Sequence, residues 1–555
     1  MLTGLRPYQD EAVDGVIERR TGLIAYEMGL GKTICALAIC EEAMATCPDP
    51  EHEVMAAIVV PANLKWQWAQ EIAKHTDVDT TTKKIRLNGE SLDITIPKEH
   101  HGIVIDGDKE KRRKQLRYAM ENRPPYVILG YENVVNDWRL VGRLRPDIIV
   151  LDEATAIKTF KATRTKQIKR WTAPFRIALT GSPIENGKPE EIFSIMEWVD
   201  PTVLGRYDLF DKAFITRNKY GAVVRYKNTP VLHRKLSGVM FRKRRTDPDV
   251  APYLPAVTET TEWVSIDRAT RAAYKNIGQD LLEALAKAAN NTMSDFDLFS
   301  HYHGGDSAGG SKEAGDVMAR MLAVEMLLNH PDLIRQSAAE YEDGARRRKE
   351  GEERANWSGS KYAAMLMRRG ALDEVKSSPK MDHLISRLQD ITEGNPASKV
   401  IVFSFHRRAC GIIEQRLAEV GIGSVSYHGE MTASQKVGAV AKFRDEPQTR
   451  VIICSHAAAF GTDLKMADYL INFDLPWSAG TADQINARHV RASSEFERVF
   501  IVNLICENTI EARKPEVLAH KRKTATAIVD GHGADGRGRL ENQVATLTEY
   551  LKSTL

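Results

Sequence analysis

Apolar and polar positions follow two different rhythms along this chain. Over residues 1–235, short continuous apolar runs alternate with stretches of helical spacing, the pattern of a parallel α/β unit. Over 236–376 the strand-like runs give way to helical spacing, clearest at 281–289 and 317–328. The α/β rhythm returns over 377–514. The last stretch, 515–555, contains Gly531, Gly533, Gly536 and Gly538, a flexible link, and then an amphipathic helical pattern over 540–551. The pattern predicts two α/β parallel-sheet units with a helical insertion between them and a helical tail. No solenoid-like repeat is present.

Two of the short apolar runs end in chemistry. Gly22-Leu23-Ile24-Ala25 leads into Tyr26-Glu27-Met28-Gly29-Leu30-Gly31-Lys32-Thr33, and a helix-forming run follows to Ala45. A glycine-rich turn between a strand and a helix can wrap a phosphate with its backbone N–H groups, aided by the helix N-terminus. Lys32 adds a mobile positive charge, and the Thr33 hydroxyl can hold Mg²⁺. Tyr26 stands where the usual pattern has its first glycine. The second run, Ile148-Ile149-Val150-Leu151, ends in Asp152-Glu153. Acids at the end of a buried parallel strand face the crevice where such sheets bind ligands. Asp152 is the candidate for Mg²⁺ through water and Glu153 for orienting an attacking water. The same acids could instead cap a helix.

Composition adds bounds. The chain has 555 residues, enough for about two to four domains. With 43% hydrophobic and 28% charged residues it is ordinary for a globular protein. A net charge of +3 means that a nucleic-acid surface must come from local clustering. The six cysteines form no Cys-x-x-Cys pair, so neither a zinc site nor a disulfide framework is expected. No signal-like start and no apolar stretch of ~20 residues is found, so a cytosolic protein without a membrane partner is expected.

Further motifs, taken in order, carry a resemblance. Leu5-Arg6-Pro7-Tyr8-Gln9 precedes the phosphate loop; Ile58-Val59-Val60-Pro61, with Leu64 and Trp68, follows it. Then come Ile128-Leu129-Gly130-Tyr131-Glu132, Asp152-Glu153-Ala154-Thr155 with Lys158, and Leu179-Thr180-Gly181-Ser182-Pro183-Ile184-Glu185-Asn186. In the second half stand Lys399 to Ser404, Ser455 to Leu464, Asp474-Leu475-Pro476-Trp477, Gln484 to Arg491, and Glu507-Asn508-Thr509-Ile510-Glu511. In this order and spacing the chain resembles the Swi/Snf-type translocase family of superfamily-two helicase-like ATPases, in a compact form similar to bacterial or bacteriophage members.

The resemblance implies two RecA-like lobes, with ATP and Mg²⁺ as cofactors. It implies ATP-driven movement along double-stranded DNA, with branched or single-stranded DNA as alternatives, and leaves protein partners unknown. It places Gln9 at the adenine base and Gly29, Gly31, Lys32, Thr33 and Asp463 at the nucleotide. Lys32, Asp152, Glu153, Arg488 and Arg491 become the catalytic set, with the two arginines at the γ-phosphate. Thr155, Thr180, Gly181 and Gln484 become coupling residues. Pro61, Tyr131, Arg242, Arg244, Ser404, Ser455 and Trp477 become nucleic-acid contacts. His330, in Asn329-His330-Pro331, becomes structural. It also implies a bacterial cytosol or a phage-infected host cytosol.

Some positions depart from the family pattern. Thr155 stands where the family usually has His, the residue that links the acidic motif to the coupling motif; Thr keeps a hydroxyl but no charge. Glu185 replaces the usual Gln, and Ala458 and Ala459 replace two common glycines. Lys436 lies near a usual Arg.

Three basic clusters differ in setting. Lys111 to Lys114 and Arg346 to Lys349 read as solvated faces, the second neutralised by neighbouring acids. Arg242 to Arg245 reads as a phosphate-contacting cluster by its place in the family chain. His301 and His303 read as a solvated loop. Two other functions stay open: a strand-separating or annealing helicase acting on DNA or RNA, and an ATP-gated DNA clamp.

Overall fold

A computed structural model describes residues 4–49, 51–76, 80–87, 90–97, 102–160, 162–185, 187–219, 223–290, 312–350, 359–455, 464–491, 494, 496–531 and 543–555. The His301–His303 loop, Asp463, Ala458, Ala459 and the glycines at 533, 536 and 538 lie outside the described residues. Internal contacts divide the chain into two units. The first comprises Met1–Arg217, Val224–Leu254 and Lys521–Arg539; the second comprises Asn218–Val223, Pro255–His520 and Leu540–Leu555.

In the first unit, the strands in chain order are β1 (Thr21–Ile24), β2 (Ala56–Val60), β3 (Thr80–Leu87), β4 (Glu90–Pro97), β5 (Ile103–Val104), β6 (Tyr126–Gly130), β7 (Ile148–Leu151), β8 (Phe175–Leu179), β9 (Ile215–Arg217), β10 (Val223–Tyr226) and β11 (Met240–Phe241). Seven of them form one sheet in the order β11-β1-β8-β7-β2-β6-β5, with every recorded pairing parallel. The pairs β3–β4 and β9–β10 stand apart as two-stranded ribbons. β2, β6 and β7 are buried at every position, which requires cover on both faces and explains their unbroken apolar runs. The sheet order sets β1, β8 and β7 side by side, so the loops leaving their C-terminal ends are neighbours.

The second unit holds β12 (Ala256–Val264), β13 (Val400–Phe403), β14 (Gly423–Tyr427), β15 (Thr449–Cys454), β16 (Tyr469–Asn472) and β17 (Arg498–Cys506). Their order is β12-β17-β16-β13-β15-β14, again all parallel. Helices Arg268–Asn290, Lys312–Asn329, Pro331–Lys349, Lys361–Arg368 and Pro379–Gly394 share one core with this sheet. Two strands, β11 and β12, fall within 236–376, where the spacing predicts helices. β11 is two residues long and is held by β1; β12 pairs with β17 over its whole length. The helix Pro331–Lys349 begins at His330, whose Nδ1 accepts from the Asp332 N–H at 3.2 Å. Burial lowers the His330 pKa, keeping the ring neutral so that this nitrogen can accept. The tail helix, Gln543–Thr554, seats Leu547 and Leu551 in the same core.

A buried charge network ties the helices to the sheet ends of this unit. Glu325 accepts from the Trp477 indole at 2.9 Å and pairs with Lys514 at 2.6 Å. Nearby, Lys380 pairs with Glu511 at 2.7 Å and donates to Asn329 at 3.1 Å. Asn329 in turn donates to Asp474 at 2.7 Å. Burial alone would raise the Glu325 pKa, but Lys514 and His406 pull it from 4.5 down to about 2. A depressed carboxylate stabilises the fold fully above its unfolded value and loses that contribution as pH falls through the folded one. The unit is therefore expected to lose about 3 kcal/mol between roughly pH 4.5 and pH 2 from this group alone. Melts followed by circular dichroism across that window check this, because Glu325→Gln should flatten the loss while lowering stability at neutral pH. Among the described residues, no helix is long and apolar enough to cross a membrane.

Candidate functional site

The phosphate loop leaves β1 at Ala25 and ends at Gly31, the N-cap of the helix Lys32–Ala45. Gly29 has φ +85° and Gly31 φ +83°, a left-handed backbone that glycine adopts without a side-chain penalty. At Gly31 a second constraint applies, since a Cβ there would collide with the Gln9 amide. Gln9 itself lies under the loop. Its Nε2 donates to Leu30 O at 3.0 Å and its Oε1 accepts from Arg6 N at 2.9 Å. The Tyr8 hydroxyl also donates to Leu30 O, at 3.2 Å. The Lys32 ammonium reaches back over the loop to Tyr26 O at 2.9 Å.

Asp152 and Glu153 follow β7, in the neighbouring part of the sheet. The Asp152 carboxylate is fixed from two sides: the Trp68 indole donates to Oδ2 at 2.7 Å and the Glu153 N–H to Oδ1 at 3.0 Å. The Tyr131 hydroxyl donates to Asp152 O at 2.8 Å. Burial, reinforced by the charges of Asp152 and Glu153, holds the Tyr131 pKa well above the usual value, so the group stays a proton donor. Glu153 has φ +50° and ψ 57°, a conformation that costs a residue with a Cβ on the order of 1 kcal/mol or more.

The loop after β8 completes the group. Thr180 is fully buried, and its hydroxyl accepts from Ser182 N at 3.2 Å. A Cβ on Gly181 would stand 3.0 Å from Met28 Cγ and 3.5 Å from the Lys32 ammonium. The phosphate loop and the 179–186 motif are therefore in contact in this unit. Thr155 sits in a short 3₁₀ turn, Ala154–Ile157. The link from this turn to the 179–186 motif is made instead by an ion pair between Lys158 and Glu185.

The basic cluster at 242–245 is half-buried and paired within the protein. Arg242 pairs with Asp530 at 2.8 Å and with Glu27 at 3.2 Å, and Arg244 pairs with Asp247 at 2.9 Å. The other two clusters differ from each other. Arg112 pairs with the buried Asp137 at 2.7 Å, whereas Arg346 and Arg347 pair with Asp343 on an exposed face.

In the second unit, Gln484 lies buried in the last turn of the helix Ala479–Asn486, and its carbonyl accepts from Arg488 Nε at 3.0 Å. Arg488 is 4% exposed and Arg491 half-buried. Ser404 and Trp477 are both 0% exposed. The Ser404 hydroxyl donates to Asp474 at 2.6 Å, and the Trp477 indole belongs to the Glu325 network described above. Both side chains are enclosed within the second unit rather than exposed as the expected nucleic-acid contacts would be. Ser455 is 4% exposed, and Pro61 is half-buried at the end of β2.

Residues 8–333 match the SNF2-related domain, well over half of the chain, and residues 380–493 match the helicase conserved C-terminal domain. The chain belongs to the SNF2-related family. Among curated relatives it is 24% identical to the human DNA repair and recombination protein RAD54B, over 95% of this chain and 55% of that protein. It is also 24% identical to an uncharacterized ATP-dependent helicase, YqhH, of Bacillus subtilis, over 93% of this chain and 78% of that protein. The chain spans about half the length of several relatives it matches, 41% for the yeast ISWI remodelling ATPase ISW2. In fold it is similar to the Hef helicase domain of Pyrococcus furiosus, with 17% identity and a TM-score of 0.51 over 92% of this chain and 97% of that one. That likeness supports the RecA-like reading of the parallel sheets.

Within this SNF2-family chain, the first unit brings Gly29, Gly31, Lys32, Thr33, Asp152, Glu153, Thr180 and Gly181 to adjacent strand ends. Sequence reasoning missed Trp68 as the partner of Asp152, reading it only as part of the motif that begins at Ile58. The indole N–H is a donor that needs an acceptor when buried, a signal that was present without its partner. Among the described residues, no group of three or more His, Cys, Asp or Glu could hold a metal ion. The remaining candidate donors are oxygens, the Thr33 hydroxyl and the Asp152 carboxylate, the type that suits Mg²⁺ held with substrate phosphates.

Proposed function

We propose that this chain hydrolyses ATP and uses the cycle to move along double-stranded DNA, remodelling protein–DNA or branched DNA complexes. The observation that carries the reading is the meeting of the phosphate loop, the Asp152–Glu153 turn and Gly181 at neighbouring ends of one parallel sheet. The family match and the DNA-repair relative support the choice of partner.

In this reading the loop N–H groups between Gly29 and Thr33 bind the phosphates, and Lys32 swings from Tyr26 O to the γ-phosphate. Mg²⁺, when bound through Thr33 and Asp152, would neutralise phosphate charge. Trp68 holds Asp152 in orientation for that role. Glu153 orients the attacking water. Arg488 and Arg491 act on the charge that develops at the γ-phosphate, a contribution of ~10³–10⁵ in rate for an arginine of this kind. Gln9 acts on the loop through Leu30, in addition to any contact with the base. Ser404, Trp477 and Tyr131 are assigned to internal support because their polar atoms are bonded within the protein. Contacts to DNA are assigned to phosphates, which makes binding independent of sequence. A cytosolic location follows the same reading.

Steady-state ATP hydrolysis at fixed salt tests it, first without nucleic acid and then with duplex, single-stranded DNA, forked DNA and RNA. Strong stimulation by plain duplex is the expected result. Stimulation confined to forks, single strands or RNA would replace it with a strand-separating helicase. Nucleotide and DNA binding without turnover would replace it with a clamp.

A further inference from the structure

The 242–245 cluster reads as a DNA contact in the sequence, yet two of its side chains, Arg242 and Arg245, bond to the phosphate loop, while Lys243 pairs with Glu11 and Asp249 and Arg244 with Asp247. The backbone prepares this. Beyond the β1–β11 pairing the two segments stay in register, with Ala25 N donating to Phe241 O at 2.8 Å and Glu27 N to Lys243 O at 3.0 Å. The cluster therefore runs beside the loop. From there Arg242 Nη1 donates to Ala25 O at 2.7 Å and to Gly181 O at 3.3 Å, while Nη2 reaches Glu27 at 3.2 Å. Arg245 donates to Met28 O at 2.9 Å, and its own N–H donates to the Glu27 carboxylate at 2.9 Å.

A loop that turns its N–H groups toward a phosphate must direct other backbone groups elsewhere, and buried carbonyls need donors. The planar guanidinium spreads five N–H donors over three nitrogens in a fixed fork and so reaches the four acceptors Asp530, Glu27, Ala25 O and Gly181 O, whereas an ammonium has three donors on a single nitrogen. One further group fixes Arg242: its Nε donates to Asp530, whose side chain is 7% exposed. The segment carrying Asp530 is anchored on its own account, by His233 Nδ1 against Ile528 O at 3.1 Å. Gly531 packs against the same imidazole and has φ +68°.

We infer that Arg242 and Arg245 are positioning residues for the phosphate loop, and that Asp530 at the end of the Lys514–Val529 helix sets Arg242. Through Arg242 the loop, the Gly181 motif and a segment 288 residues away form one hydrogen-bonded unit. This rests on the proposed nucleotide reaction, but concerns residues outside its catalytic set.

The test is binding of a fluorescent ADP analogue with Mg²⁺ to the full chain without DNA, alongside duplex affinity as a function of salt. Arg242→Ala and Asp530→Ala are each expected to weaken nucleotide binding about tenfold. The double variant should be no weaker than Arg242→Ala, because the two act as one link. Duplex affinity and its salt slope should stay unchanged. Arg242→Lys separates positioning from mere stability: the ammonium keeps a positive charge and restores the melting temperature, but its three donors on one nitrogen cannot hold Asp530, Glu27 and the Ala25 and Gly181 carbonyls together, so nucleotide binding stays weak. Asp530→Ala serves where Arg242→Ala does not fold. Unchanged nucleotide affinity with a salt slope reduced by about one would make Arg242 a DNA contact and overturn the inference. Additive losses in the double variant would remove Asp530 from it. A parent chain that binds no nucleotide would overturn the proposed function and this inference together; a binding-competent parent with unaffected variants overturns this inference alone.

Discussion

Glu153→Gln is expected to lower ATP turnover by about 10²–10⁴-fold while nucleotide and duplex binding persist. Glutamine keeps the size and the hydrogen-bonding reach of the side chain but loses the charge that orients and polarises water. The backbone gives an independent reason to single out this residue. Glu153 lies at φ +50°, two residues past the end of a strand whose four residues are all buried. A left-handed non-glycine costs about 1–3 kcal/mol when the surroundings impose it. Glycine would relieve that cost, so Glu153→Gly should melt at a higher temperature and still turn over as poorly as Glu153→Gln. A coupled hydrolysis assay and thermal melts on the two variants check both halves. Retained duplex-stimulated turnover in Glu153→Gln would sink the assignment of this residue. Lys32→Ala, which removes the loop ammonium and also abolishes turnover in this reading, shows whether the assay reports this site.

What could be read from the sequence follows from burial. β1, β2, β6 and β7 are central strands, so their apolar runs are unbroken and each ends at a chemically conspicuous residue. Gly29 and Gly31 were legible because only that residue type suits their backbone. β12 was not, because it is the edge of its sheet and mostly exposed. Its Ala256-Val257-Thr258-Glu259-Thr260-Thr261-Glu262-Trp263 sequence carries no apolar run, and its place is fixed by β17, more than two hundred residues on. β11 is too short to carry any periodicity at all.

Side-chain partners were not legible for the same reason, because they lie far apart in sequence. Asp152 and Trp68 are 84 residues apart, and Trp477 and Glu325 152. A motif names a residue type at a position, but whether that side chain faces DNA or the core depends on such partners. Trp477 and Ser404 went to the core because Glu325 and Asp474 needed donors there. Arg242 turned toward the loop because Glu27 and Asp530 supplied acceptors.

Reversing the charge at residue 158 is expected to reduce duplex-stimulated turnover by about 10²-fold, the scale of a small displacement of catalytic groups. Lys158 closes the turn that follows Asp152 and Glu153, and Glu185 lies in the loop that carries Thr180 and Gly181. Their ion pair is well shielded, with side-chain exposures of 29% and 12%. Each end is braced separately: the Ser194 hydroxyl donates to Ile157 O at 2.6 Å, and Glu185 N donates to Glu191 at 2.8 Å. Thr155, where the family usually has His, offers no charge with which to make this link. In Lys158→Glu two carboxylates would face each other in a partly dry setting and push the acid turn away from the Gly181 loop. Exchanging the pair, Lys158→Glu with Glu185→Lys, restores the attraction and should recover most of the stimulation, a result that a general loss of stability would not give. Stimulated rates for the parent, both single variants and the exchange form a double-mutant cycle. Full stimulation in Lys158→Glu would mean that the acid turn and the Gly181 loop are coupled by other contacts, with the Met28 approach to Gly181 as the next to alter.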